Sequence, residues 1–130
     1  MTTPRETRMI RIMVVEDNVD YRSVIAMAID DAVDMELTGL FGTTEIALRT
    51  IEKSTDAELP DILLLDLRLP GISGLDAIPL IHAAAPATRI IILSQSDAPG
   101  DIVRAISAGV SGYLLKSARL KEITEAIRTV

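Results

Sequence analysis

Five polar residues lie within two positions of the ends of four short apolar runs of the sequence. Glu16 and Asp17 follow IRIMVV, and Asp66 follows ILLL. Ser94 follows IIIL, and Lys116 follows YLL. If the fold brings them together, three carboxylates and one ammonium form an oxygen-rich, net-negative pocket. Such a pocket suits a hard cation such as Mg²⁺, which retains waters for a phosphate ligand. The set therefore predicts a site that receives a phosphoryl group.

In such a site one carboxylate acts as the nucleophile, while the metal, the Lys116 ammonium and the Ser94 hydroxyl contact the phosphoryl oxygens. Asp66 is the best nucleophile, since it ends the most apolar run and precedes the loop LRLPGISG, whose Pro and Gly predict a tight return. Glu16 and Asp17 are better placed to bind the metal. Carboxylates this close repel each other, which raises pKa values or requires a counter-ion.

The elements that would position these residues are strands and helices in alternation. The runs are apolar throughout rather than at every second residue, and a weaker run, MELTGLF, lies at 35–41. Segments with helical spacing of apolar residues follow each run. This order predicts an α/β fold of the flavodoxin-like (βα)5 type, a five-stranded parallel sheet with helices on both faces. Ligands of such sheets bind beyond the carboxyl ends of the strands, so the five polar residues would share one rim.

Length and composition narrow the possible functions. The 130 residues suffice for one domain, which we expect at 10–130 after a disordered N-terminal extension at 1–9. A net charge of −6 argues against binding a nucleic-acid backbone. The sequence has no cysteine, and its start, MTTPRETR, is polar and is not followed by an apolar region of signal-peptide length. No apolar run approaches the roughly 18 residues of a membrane span. We therefore expect a cytoplasmic domain that binds neither membranes nor, by itself, nucleic acid.

Four motifs, in this order, resemble those of response-regulator receiver domains of two-component signalling, over nearly the whole chain. They are VVEDN, LLLDLRLPGISG, IIILSQSD and AGVSGYLLKS. The second and fourth look most similar to receivers that precede a LuxR-type helix-turn-helix, a segment that these 130 residues do not include. The resemblance implies a switch in a transcription regulator, whose DNA-binding domain would lie outside this chain.

The resemblance also implies specific roles for site residues. Asp66 would accept a phosphoryl group from a sensor histidine kinase, or from a small donor such as acetyl phosphate. Mg²⁺ would be bound by Asp17 and Asp66, by Glu16 directly or through water, and by the backbone carbonyl of Arg68. The chain would phosphorylate and dephosphorylate itself without being a turnover enzyme.

Further implied roles concern the switch. Lys116 and Ser94 would contact the acyl phosphate, Ser94 would move toward it, and Tyr113 would turn inward. Arg68 and Ser96 lie at positions that tune the lifetime of the phosphoryl group in the family. Activation is then expected to produce a homodimer. For Tyr113 the alternative is a tyrosine that packs its ring at the sheet edge and exposes its hydroxyl to solvent.

Two other functions compete with the switch. A Mg²⁺-dependent phosphatase would also form an aspartyl phosphate, but the haloacid-dehalogenase type requires a second Asp two residues after the nucleophile, where this chain has Arg68. A receiver-like dimerisation or docking module that is not phosphorylated is the second alternative. The single histidine, His82, is expected to be an exposed bystander in a helix.

Overall fold

The structure, a computed structural model, describes residues 9–69 and 71–130. The predicted N-terminal extension lies outside the described residues except for Met9. The strands are β1 Ile10–Val15, β2 Met35–Phe41, β3 Ile62–Leu65, β4 Arg89–Ser94 and β5 Gly112–Leu115. The α-helices are α1 Val19–Asp31, α2 Thr44–Lys53, α3 Gly74–Ala84, α4 Pro99–Ser107 and α5 Leu120–Thr129, and a short 3₁₀ helix spans Asp56–Glu58.

The strands form one parallel sheet in the order β2-β1-β3-β4-β5. This confirms the predicted flavodoxin-like (βα)5 architecture. The chain proceeds outward from β1 to β2 and then returns to the other side of β1 to form β3. The strand order therefore reverses between β1 and β3, so the loops that follow these two strands lie side by side.

Both faces of the sheet are covered, as predicted. On one face the sheet packs against α2, α3 and α4 through a core that includes Leu63, Leu65 and Ile78. On the other face it packs against α1 and α5 through a core that includes Leu64 and Ile123. Successive residues of a strand point to opposite faces, so a strand covered on both sides is apolar throughout. All four residues of β3 are buried for this reason.

Two glycines and one proline shape the helices around the sheet. Gly109 follows α4 with a φ of 99°, a backbone conformation that glycine adopts readily and that ends many helices. Gly74 opens α3, and its N–H donates to the Leu67 carbonyl at 2.9 Å. Pro79 lies inside α3 at an exposed position, and the helix continues through it. None of the described helices has both the length and the apolarity needed to cross a membrane.

Candidate functional site

Three acidic residues meet where β1 and β3 end. Val15 and Leu65, the last residues of these strands, are paired in register. Glu16 and Asp17 follow β1 and Asp66 follows β3, so the fold places all three on the same rim. One carboxylate oxygen from each lies within 4.8 Å of those of the other two. Glu16 and Asp66 are buried, whereas Asp17 is exposed and faces solvent.

Lys116 reaches this acidic cluster from the edge strand β5. Its backbone N–H donates to the Ser94 carbonyl at 2.8 Å, which ties the residue to the end of β4. The Lys116 Nζ lies 2.6 Å from Glu16 Oε1 and 2.9 Å from Asp66 Oδ2. The lysine side chain is only 12% exposed, so these ion pairs are largely shielded from solvent. The structure thus brings together the four charged residues that the sequence predicted to converge.

The charges of this cluster are not balanced. Three carboxylates and one ammonium carry a formal net charge of −2. Burial raises the pKa of Glu16, and the nearby Asp66 raises it further, although hydrogen bonds from Lys116 and the Asn18 N–H act in the opposite direction. Burial lowers the pKa of Lys116, but its bonds to both carboxylates outweigh burial and leave that pKa raised. Lys116 therefore remains a cation among excess negative charge.

The donor set fits a hard divalent cation. The cluster offers only oxygen ligands, and its excess charge of two would be neutralised by Mg²⁺. A cavity of about 220 Å³ opens over it, and Asp66 lines this cavity. Its other lining residues are Asp17, Asn18, Arg68, Gln95 and Lys116. The cavity gives an incoming group access to the buried Asp66 carboxylate, whose second oxygen, Oδ1, accepts the Arg68 N–H at 3.2 Å.

Ser94 and Arg68 are placed differently from the carboxylates. Ser94 is the last residue of β4 and is fully buried, and its Oγ accepts the Ser96 N–H at 3.0 Å. It is not among the residues that line the cavity. The Arg68 guanidinium extends to Asp101 in the first turn of α4, with 3.3 Å between Nη2 and Oδ2. The same Asp101 oxygen accepts the Ser96 hydroxyl at 2.5 Å.

Tyr113 lies in the edge strand β5 and is half-buried. Its ring packs against the core that includes Leu65, and its hydroxyl donates to the Ser96 carbonyl at 2.7 Å. The hydroxyl is therefore bonded to the loop between β4 and α4. Its predicted inward turn stays a prediction.

Other residues at the site were not predicted to act there. Asn18 caps α1, and its Oδ1 accepts the Tyr21 N–H at 2.9 Å. Gln95 lines the cavity, and the Tyr21 ring lies under the Lys116 ammonium. Each is within a few residues of a predicted site residue, a spacing that could have flagged it. Asp101 lies five residues after Ser96, from whose hydroxyl it accepts a hydrogen bond, so the same kind of spacing could have flagged it.

The prediction for His82 was wrong in one respect. The residue lies in α3, as expected, but it is half-buried rather than exposed. Its Nε2 is enclosed and has no hydrogen-bond partner within the described residues. The imidazole packs beside Gly109, where a Cβ would lie 3.3 Å from Nε2.

Comparisons with known proteins agree with this geometry. Residues 12–128 match the response regulator receiver domain family. The chain is similar to the transcriptional regulatory protein DesR of Bacillus subtilis (strain 168), with 34% identity over 94% of this chain and 58% of that protein. It spans a little more than half the length of the curated relatives it matches.

Two solved structures show the same fold. The signal receiver domain of the putative response regulator NarL from Mycobacterium tuberculosis has a TM-score of 0.85 and 28% identity, covering 94% of this chain and 95% of that one. A LuxR-family response regulator from Aurantimonas sp. SI85-9A1 has a TM-score of 0.83 and 30% identity, covering 93% of this chain and 84% of that one. These likenesses confirm the resemblance to LuxR-type receivers, and the chain belongs to the family of response regulator receiver domains.

Proposed function

We propose that Asp66 accepts a phosphoryl group from a phosphohistidine of a sensor histidine kinase, in a Mg²⁺-dependent reaction. The observation that carries this proposal is the Lys116 Nζ, 2.9 Å from Asp66 Oδ2 inside an acidic cluster. A structural aspartate would need only to be paired. Here the pair is surrounded by further carboxylates and lies beside a cavity open to solvent, an arrangement that suits a ligand with its own charge.

In the proposed reaction a carboxylate oxygen of Asp66 attacks phosphorus, forming an O–P bond. The N–P bond of the phosphohistidine breaks, and its electron pair stays on the imidazole nitrogen. The Lys116 ammonium already lies beside this carboxylate, and it stabilises charge on the phosphoryl oxygens while the phosphoryl group is transferred. The Ser94 hydroxyl contacts the product after the rearrangement expected for it.

Asp17 and Asp66 are the direct protein ligands in our proposal for the metal, together with the Arg68 carbonyl. When bound, Mg²⁺ would neutralise the carboxylates and stabilise charge on the phosphoryl oxygens. Both oxygens of Glu16 already accept hydrogen bonds, one from Lys116 at 2.6 Å and one from the Asn18 N–H at 2.9 Å. Both oxygens of Asp66 accept hydrogen bonds as well, so Glu16 would contact the metal directly or through water.

The chain would act as a switch rather than as a turnover enzyme. The position two residues after Asp66 holds Arg68, which cannot serve as the acid or base of a phosphatase of the haloacid-dehalogenase type. We propose that phosphorylation in the cytoplasm promotes a homodimer. The output would be control of transcription through a DNA-binding domain outside these 130 residues.

The test is phosphorylation by acetyl phosphate with Mg²⁺, followed by intact mass. The wild-type chain is expected to gain one phosphoryl group, and Asp66→Asn to gain none. Asp61→Asn is the matched control, because it makes the same change at the other end of β3. Asparagine there keeps an acceptor for the Arg11 N–H, now 2.9 Å from Asp61 Oδ2. This control should be labelled like the wild type.

Other outcomes would overturn the proposal. Phosphate release over many turnovers per minute would favour the phosphatase. The docking module would be the better interpretation if acetyl phosphate leaves the mass of the wild-type chain unchanged and beryllium fluoride leaves its NMR spectrum unchanged. Labelling that persists in Asp66→Asn would place the acceptor elsewhere.

A further inference from the structure

The Lys116 ammonium has an aromatic neighbour that the proposed reaction does not use. Tyr21, in the first turn of α1, places its ring under Nζ, with 5.0 Å between Nζ and the ring centroid. A cation within about 6 Å of a ring centroid is attracted by the negative face of the ring. The ammonium therefore touches two carboxylates and one aromatic face.

These contacts differ in how they respond to ligands. The distances from Nζ to Glu16 and Asp66 reflect attraction between full charges, which changes when a metal or a phosphoryl group alters the charge of the cluster. The attraction of the Tyr21 ring does not depend on that charge. The lysine stem is a flexible four-carbon chain, so a constant contact at its end limits where the ammonium can go.

The Tyr21 hydroxyl does not account for the position of the ring. It is buried, and it has no hydrogen-bond partner within the described residues. Burial of an unpaired hydroxyl is unfavourable, so this group does not anchor the side chain. The ring itself packs against the core that includes Leu64 and Ile123, and its face lies under the ammonium.

We infer that Tyr21 is a positioning residue, whose ring face holds the Lys116 ammonium beside Asp66 while the charge of the cluster changes. The ring stabilises the productive lysine conformation and does not touch the transferred group. A phenylalanine at this position would do the same, since it retains the aromatic face. A leucine would pack against the same core but would leave the ammonium without the ring.

The first test does not require phosphorylation. In the unphosphorylated protein, the NMR signals of the Lys116 ε-methylene protons should be shifted upfield by the ring, and Lys116→Met identifies them by their loss. The upfield shift should persist in Tyr21→Phe and disappear in Tyr21→Leu. An unchanged shift in the leucine variant, or equal loss in both variants, would overturn the inference.

The second test rests on the proposed function and measures the rate of labelling by acetyl phosphate with Mg²⁺. Loss of a contact of this kind predicts a rate about fivefold to thirtyfold lower in Tyr21→Leu, with Tyr21→Phe within about twofold of wild type. The decrease should lie in the maximal rate rather than in the half-saturating donor concentration, because the lysine acts on the group in transfer. Equal rates in the leucine variant and wild type would contradict the inference.

Two controls separate this inference from other failures. Phe41→Leu removes another half-buried ring near the same rim and should leave the rate near that of wild type. A rate in Phe41→Leu as low as in Tyr21→Leu would show that any lost ring has this effect, against the inference. If wild type itself is not labelled, the proposed function fails, while the Lys116 signals still decide the role of Tyr21.

Discussion

Strand β3 has an aspartate at each end, and the two have opposite surroundings. Asp61 precedes the strand, and its Oδ2 accepts the Arg11 N–H at 2.9 Å. The backbone of Asp61 bonds to both neighbouring strands, through the Arg11 carbonyl at 2.8 Å and the Arg89 N–H at 3.0 Å. Asp66 follows the strand and lies among two further carboxylates with a single ammonium.

Other polar groups at the two ends of β3 differ in the same way as the two aspartates. At the amino end the Arg11 guanidinium donates to the carbonyls of Ala57 and Glu58, and the Thr88 hydroxyl donates to the Pro60 carbonyl at 2.7 Å. Polar groups there are paired within the chain. At the carboxyl end three carboxylates face a single ammonium, which leaves a formal net charge of −2. One strand thus carries an aspartate paired within the chain and an aspartate that we propose to be reactive, and surroundings rather than residue type separate them.

The largest effect on stability is expected from a substitution of Gly74, which packs closely against the backbone at the carboxyl end of β3. A Cβ at this position would lie 2.2 Å from the Asp66 carbonyl oxygen and 2.8 Å from the Leu67 Cα. Both are backbone atoms, so a side-chain rotation cannot relieve the clash. Gly74→Ala should lower the free energy of unfolding by about 1–3 kcal/mol and slow labelling of Asp66, measured by urea denaturation and intact mass.

The matched control for Gly74 is Gly100→Ala in the first turn of α4. A Cβ there would have no heavy atom within 4 Å. This variant should be as stable as wild type, or more stable by about 0.4–1 kcal/mol because alanine has less freedom in the unfolded chain. Equal stability of the two variants would mean that the close approach of α3 to Asp66 is unimportant.

A smaller loss is expected at the amino end from Asp61→Ala. The change removes the acceptor for the Arg11 N–H, in a half-buried place where the donor is not readily paired again. The free energy of unfolding should fall by about 1–2 kcal/mol in urea denaturation, with labelling of Asp66 unchanged. Asp61→Asn retains an acceptor and should lose less. Slower labelling in Asp61→Ala would show that the two ends are coupled, contrary to the comparison.

Removal of one charge at the carboxyl end should raise the free energy of unfolding, whereas removal of Asp61 at the amino end should lower it. Asp17 contributes a carboxylate to the cluster, but in the described residues Lys116 pairs with Glu16 and Asp66 rather than with Asp17. Without metal, Asp17→Asn should therefore raise the free energy of unfolding by about 1 kcal/mol or less, because it removes repulsion between like charges.

Addition of Mg²⁺ should make the wild-type chain more stable than Asp17→Asn. At ten times its dissociation constant, an ion that binds only the folded state stabilises it by about 1.4 kcal/mol. Thermal unfolding with and without Mg²⁺ should show this gain in wild type and little of it in Asp17→Asn. Ca²⁺-free buffer and chelator define the metal-free reference. A gain of equal size in both proteins would remove Asp17 from the proposed ligands.

The sequence predicted the parts of this comparison that follow from topology. A buried parallel strand that ends in Asp66 fixes the rim on which that carboxylate lies, and the same rule places Lys116 there from a distant segment. The Tyr21 ring and the Asp101 carboxylate depend on how far each helix stands from the sheet and on side-chain rotamers. Strand ends do not determine those quantities, so neither contact was predicted. The approach of Gly74 to the Asp66 carbonyl likewise depends on the angle at which α3 begins.

The smallest effect is expected from a second aspartate at the amino end, whose side chain is 40% exposed. Asp34 precedes β2, and its carboxylate accepts both Arg128 Nε at 2.7 Å and Nη2 at 3.0 Å. The Arg128 hydrogen bonds hold the pKa of Asp34 below its usual value of 3.8. A lowered pKa in the folded state means that the pair contributes stability above about pH 3.8 and loses it as the pH falls through the lowered pKa. Asp34→Asn should thus be slightly less stable than wild type near neutral pH, with the difference shrinking in acid. Urea midpoints measured from pH 7 downward test this, with Asp30→Asn at an exposed position of α1 as control. A difference independent of pH would show that the charge of Asp34 contributes nothing.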